Sequence, residues 1–193
     1  MSPILGIYAS QISGHLWEPS GAYDSLWSTT VASGGVSSIT ISGIPQTYKH
    51  LQLRVIATSN RGGSNEQDYF RVRFNSDTGT NYSAHVLEGY GTGIGTLATT
   101  STASPYTFIG GGDIAGTNVF GAAVVDILDY ANTNKYKTTR ALSGIETNST
   151  AGRMWLSSSS WRNTAAISTI TIDSVYGATS IKQYSSFALY GIK

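Results

Sequence analysis

Apolar and polar residues alternate with a period of two through most of this chain. From Val36 to Ser42, Ile39 and Ile41 fall on one side and Ser38, Thr40 and Ser42 on the other. His50 to Thr58 gathers Leu51, Leu53, Val55 and Ala57 on one face, with Gln52, Arg54 and Thr58 opposite and Ile56 out of phase. Asp68 to Asn75 sets Phe70, Val72 and Phe74 against Arg71, Arg73 and Asn75. Ile167 to Val175 turns Ile170 and Ile172 inward, and Ile181 to Lys193 does the same with Phe187 and Leu189. This rhythm belongs to strands with one buried face. Asp24 to Val31, Tyr82 to Tyr90, Tyr106 to Ile109 and Arg153 to Ser160 predict further strands, the last with Met154 and Leu156 on one side. Ser76 to Asn81 predicts a hairpin-type turn, and Gly110 to Asp113 a turn or bulge. Gly91 to Ser104, small and polar throughout, predicts a loop. No stretch sustains a helical period over three turns.

Val119 to Glu146 departs from strict alternation. Val119 to Leu128 is apolar on both faces until Asp126, which predicts a strand buried on both sides. Asp129 to Lys135 is rich in turn formers, and Tyr136 to Gly144 returns as a second strand. This hairpin reads as the spine of the fold. Roughly ten strands spaced every 8–12 residues predict an all-β, jelly-roll-like antiparallel β-sandwich. One sandwich domain spans residues 23–193, preceded by an arm, 1–22. Within the arm Ile4, Leu5, Ile7, Tyr8, Leu16 and Trp17 are candidates for packing on a partner chain, because such a segment is poorly suited to free solution.

Composition narrows the function classes. Only 12% of the 193 residues are charged and the formal net charge is +1, against roughly 25% charged in ordinary soluble domains. Ser, Thr, Asn and 22 glycines make up the difference. Such a surface lacks the clustered Lys and Arg that nucleic acid or anionic lipid demands. No apolar run approaches the ~20 residues that would insert in a bilayer. There is no cysteine, so disulfides and thiolate zinc sites are excluded.

Signals for chemistry are sparse. Asp77-Thr78-Gly79 is the triplet of aspartic-protease loops, but a shared-proton dyad needs two such loops, and one is present. Gly91-Thr92-Gly93-Ile94-Gly95 is glycine-rich, yet no helix follows to face a phosphate. His15, His50 and His85 lack metal-ligand spacing. Asp126 and Asp129 read as turn chemistry with a bond to Lys135 or Lys137. Asn148-Ser149-Thr150 matches a sequon with no supporting context. The sequence requires no catalytic residue, cofactor or metal. Trp155, Trp161, Tyr90 and Tyr106 could form a flat aromatic platform for a sugar, the basis of an alternative reading as a carbohydrate-binding host-recognition module.

Four stretches carry a resemblance: Ile44-Pro45-Gln46-Thr47-Tyr48-Lys49-His50-Leu51-Gln52-Leu53-Arg54; Arg73 to Tyr82; Asp126-Ile127-Leu128-Asp129-Tyr130-Ala131-Asn132-Thr133-Asn134-Lys135-Tyr136-Lys137-Thr138; and Gln183 to Lys193. From about Tyr23 to the end, the chain resembles a family of tailed-bacteriophage virion proteins described as minor tail or virion structural proteins. The resemblance implies a non-enzymatic part of the virion surface, made in the host cytoplasm and placed at the tail tip or fibre, or on the capsid as a cement or decoration protein. Other virion proteins are the expected partners, in a homo-oligomer with a trimer favoured; a host surface glycan is the further partner that the carbohydrate-binding alternative would add.

Overall fold

The computed structural model describes residues 22–63, 65–177 and 180–193. Twelve strands make up its regular structure: β1 (Tyr23–Thr30), β2 (Ser38–Ser42), β3 (His50–Ala57), β4 (Gln67–Phe74), β5 (Tyr82–Tyr90), β6 (Gly93–Thr102), β7 (Phe108–Gly111), β8 (Gly121–Leu128), β9 (Lys137–Ile145), β10 (Arg153–Trp161), β11 (Thr169–Ser174) and β12 (Ser186–Ile192). They pair into two antiparallel sheets, one of eight strands in the order β1-β12-β3-β8-β9-β10-β5-β6 and one of four in the order β2-β11-β4-β7. The protein is an all-β sandwich.

The two-residue rhythm becomes the core. Leu51, Leu53 and Val55 of β3, Val125 and Ile127 of β8, and Phe187 and Leu189 of β12 project from the large sheet. They meet Ile39 and Ile41 of β2, Phe70, Val72 and Phe74 of β4, and Ile170 and Ile172 of β11. A smaller cluster of Val86, Ile109, Ile145 and Trp155 fills the space beside β7. The small sheet's outer face is polar: Arg71 grips Asp173 with two bonds, at 3.0 and 2.6 Å, and Arg73 adds a third at 3.1 Å.

The chain crosses repeatedly between sheets. With the hairpins β5–β6 and β9–β10 set aside, the orders reduce to β1-β12-β3-β8 and β2-β11-β4-β7. β1 and β2 thus run beside β12 and β11, and β3 and β4 beside β8 and β7. Two long hairpins are each bent across both sheets. β8 and β9 sit at the middle of the eight-stranded sheet, where the sequence placed the spine.

Several local expectations change. Gly93–Thr102 is strand β6, an edge strand paired only with β5, not a loop. Gly91 and Thr92 alone form the turn, with Gly91 at φ +52°, the conformation that a two-residue hairpin requires of its first residue. Gly110 and Gly111 belong to β7. Residues 75–81 do not close a hairpin: β4 and β5 lie in different sheets, so the segment is a corner between them. β8 is buried on one face only. Ala123, Val125 and Ile127 enter the core, while Val124 stands 39% exposed, because no layer of the described chain covers the outer side of the large sheet.

Candidate interaction surface

Two of the stretches singled out in the sequence, Ile44 to Arg54 and Asp126 to Thr138, meet in space, and their polar groups hold one another. Gln52 Nε2 donates to Asp126 Oδ1 at 2.9 Å, and Arg54 Nε donates to Gln52 Oε1 at 2.9 Å. Gln52 is therefore covered although it lies on the outer side of β3. The Asp129 N–H donates to His50 Nδ1 at 3.0 Å. The hydroxyl of Tyr130, wholly buried, donates to the Pro45 carbonyl. Lys137 is buried as well, and its ammonium donates to the carbonyls of Asn132, Lys135 and Thr164. Burial holds that ammonium below the ordinary lysine pKa. Asp129 pairs with Lys135, which keeps its carboxyl below the usual range. These are bonds of a scaffold. Asp126 and Asp129 satisfy turn and strand neighbours, and no group of three potential metal ligands occurs among the described residues.

Asp77 has a similar task. Its carboxylate accepts the Gly79 N–H at 2.8 Å, Asn81 Nδ2 at 2.9 Å and the Trp161 indole N–H at 2.7 Å. The loop is thereby pinned to the last residue of β10. The Tyr82 hydroxyl receives the Phe74 N–H at 3.0 Å and donates to the Asp77 carbonyl at 3.2 Å; burial pushes its pKa up to about 12.

The aromatic platform does not form. Trp155 and Trp161 are 2% and 1% exposed. They point inward from β10, where Trp161 packs on Phe74 and Tyr82, and Trp155 on Tyr69 and Tyr106. Their neighbours Met154 and Leu156 face out instead. Serines at 157 and 159 share the inner face with the indoles, since β7 crosses close by and Ser157 Oγ donates to the Thr107 carbonyl. Tyr90 alone is exposed, at the β5–β6 turn, with the Arg153 guanidinium 5.1 Å from its ring centroid. Ile4, Leu5, Ile7, Tyr8, Leu16 and Trp17 lie outside the described residues.

The feature that stands out is the outer face of the large sheet. Strand register aligns Ile56, Ala122, Gly144, Met154, Gly89 and Ile94 in one row across six strands. The adjacent row runs Arg54, Val124, Leu142, Leu156, Leu87 and Thr96. Seven large apolar side chains on these rows face solvent; Leu142, Leu156 and Leu87 are each half exposed and Met154 65%. Small residues between them leave a shallow depression of about 860 Å³, floored by Ala122, Gly144 and Ala188 and flanked by Ile56, Leu142 and Met154. Isolated exposed apolar residues are ordinary, but a contiguous stripe of this kind marks a surface that is normally covered. The sequence held two traces of it: Ile56 out of phase in its strand, and a β8 apolar on both sides. Beyond the stripe the same face turns polar, with Arg140, Ser158 and His85 in one row.

Comparison of the chain with protein-family models, with curated proteins and with solved structures found no match.

Proposed function

We propose that the chain is a non-enzymatic structural subunit of a tailed-bacteriophage particle, held on the virion surface as a homo-oligomer. The observation that carries the reading is the apolar stripe across the large sheet, on a domain whose small sheet is polar on its outer side. We read the strand order, β1-β12-β3-β8 over β2-β11-β4-β7, as a jelly roll widened by two hairpins, an architecture used by viral capsid and lectin domains. The resemblance noted in sequence and the low net charge support the same reading.

In this reading a second copy of the chain covers the stripe, and a trimer is the favoured assembly. The site on the particle is the tail tip or fibre, or the capsid as cement. Sedimentation of the purified chain should give an oligomer that Leu142→Asp converts to protomers. An antibody raised against the chain should label intact particles of the phage that encodes it. A wild-type monomer at all concentrations, with unlabelled particles, would sink the proposal.

A further inference from the structure

At one end of the sandwich the loops enclose a second concavity, a cleft of about 680 Å³. Its walls come from the turn after β1, the residues following β3, the β7–β8 connection and the approach to β12. Its chemistry differs from that of the apolar stripe. Asp113 and Lys182 are its charged lining residues, and they pair at 2.8 Å while both remain partly exposed. The lining is thus neutral overall. Around the pair stand Asn60, Thr117, Asn118 and Gln183. The side-chain amide oxygen Oδ1 of Asn60 accepts the Ser180 N–H at 2.6 Å. The side chains of Thr117, Asn118 and Gln183 make no hydrogen bond among the described residues.

Tyr184 completes the cleft. It is 67% exposed and its backbone lies at φ +71°. A bulky residue rarely adopts that conformation, which Gly or Asn would accept easily. The strands fix it: the Tyr184 N–H donates to the Val31 carbonyl at 3.0 Å, and the Ser185 N–H to the Lys182 carbonyl at 3.2 Å. The fold therefore tolerates strain to hold a large ring in solvent at the rim of a cleft that Ile114, Val119 and Phe120 line together with the polar side chains. Strain of this sort collects at binding sites. Gly34, Gly35, Gly116 and Asn118, also left-handed, line the same cleft.

We propose that this cleft binds a neutral saccharide. Tyr184 offers a flat face to the C–H side of a pyranose ring. Asp113, Lys182 and the amides of Asn60 and Gln183 offer donors and acceptors to its hydroxyls. A concave site with few convergent polar groups suits a small ligand. An anionic ligand gains nothing from a neutralised ion pair, and an apolar one would bury that pair without replacing its water. The inference goes beyond the assembly proposed above and does not rest on it.

Saturation-transfer NMR on the full chain tests it, with D-glucose, D-galactose, D-mannose, L-rhamnose and N-acetyl-D-glucosamine as millimolar probes. At least one sugar should show transfer to its ring C–H protons. Tyr184→Phe should keep that binding. Tyr184→Asn, which removes the ring but is at ease with positive φ, should weaken it by about tenfold or more. Asp113→Asn, on an exposed side chain, should weaken it independently. Absence of transfer from all five sugars, or binding unchanged in the folded Tyr184→Asn and Asp113→Asn variants, would overturn the proposal.

Discussion

Partial burial pushes the Asp77 carboxyl up, but hydrogen bonds from Trp161, Asn81 and Gly79 outweigh it and leave its pKa below the usual value. A carboxylate with a depressed folded pKa contributes stability above its unfolded pKa and loses it as pH falls through the folded value. Asp77→Asn should therefore cost about 1–2 kcal/mol at neutral pH. The difference from wild type should shrink in urea melts run below about pH 4. Asp68 behaves in the opposite way. It is wholly buried; burial raises its pKa, and the nearby Ser59, the Tyr69 N–H and Ser174, with Arg61 close by, offset this only in part. One of its oxygens has no partner. Its ionised form costs stability above the folded pKa, and the cost disappears as pH falls below the unfolded one. Asp68→Asn keeps an acceptor for the Tyr69 N–H, at 2.8 Å, and for Ser174 Oγ, at 3.0 Å. It should be at least as stable as wild type at pH 7, with that advantage lost on acidification; a large loss at pH 7 would refute this account. The Asp-Thr-Gly triplet was legible as a turn from sequence. Its bond to Trp161 was not, because the two are brought together by β10, which lies far away in the chain. For the same reason that tryptophan could be taken for a surface residue.

Alternation was legible wherever one face of a strand is richly apolar and the other polar, as in β2, β3, β4 and β11. It failed in β10, where Met154 and Leu156 outweigh Ser157 and Ser159 in hydropathy yet face out, while the serines face in beside the indoles. It failed again in β6, whose Gly, Thr and Ala have little to bury because the strand lies at the sheet edge with one neighbour. Both failures follow from cross-strand contacts that no local window contains. β7 shows what those contacts demand. A Cβ built on Gly121 would lie 2.6 Å from the Gly110 Cα, so β7 and β8 approach as closely as their glycines allow. The Ile109 N–H meanwhile donates to Ser143 Oγ on β9 at 3.1 Å. Gly121→Ala should force backbone apart at this contact and cost about 1–3 kcal/mol, as overpacking does. A urea midpoint equal to wild type would show that the approach is looser than described.

At the scale of the molecule, the two sheets have different outer surfaces. The small sheet carries Arg71, Arg73 and Asp173 on its outer side, bonded to one another and largely covered. The large sheet presents the apolar stripe, and with a formal net charge of +1 the chain has little repulsion to keep copies apart. Fold class, the buried faces of β2, β3, β4, β11 and β12 and the central hairpin could be read from the sequence, whereas the double burial expected of β8 is not found. The stripe as a whole could not be read there, since its residues come from separate strands and align only through register; the out-of-phase Ile56 and the doubly apolar β8 were its traces. If a second copy covers the stripe, association is hydrophobic and its salt dependence has a definite sign. Sodium chloride screens ionic contacts over a Debye length of about 8 Å at physiological strength, but it should not dissociate this oligomer. Sodium sulfate, which strengthens apolar burial, should tighten it. Burying a leucine contributes about 1.5–3 kcal/mol, so Leu142→Asp should weaken each interface by about tenfold or more. The melting temperature of isolated protomers should barely change, because that side chain is already half exposed. Sedimentation equilibrium across a salt series reads all three effects, and an oligomer that falls apart in sodium chloride would assign the contact to charged groups instead of the stripe.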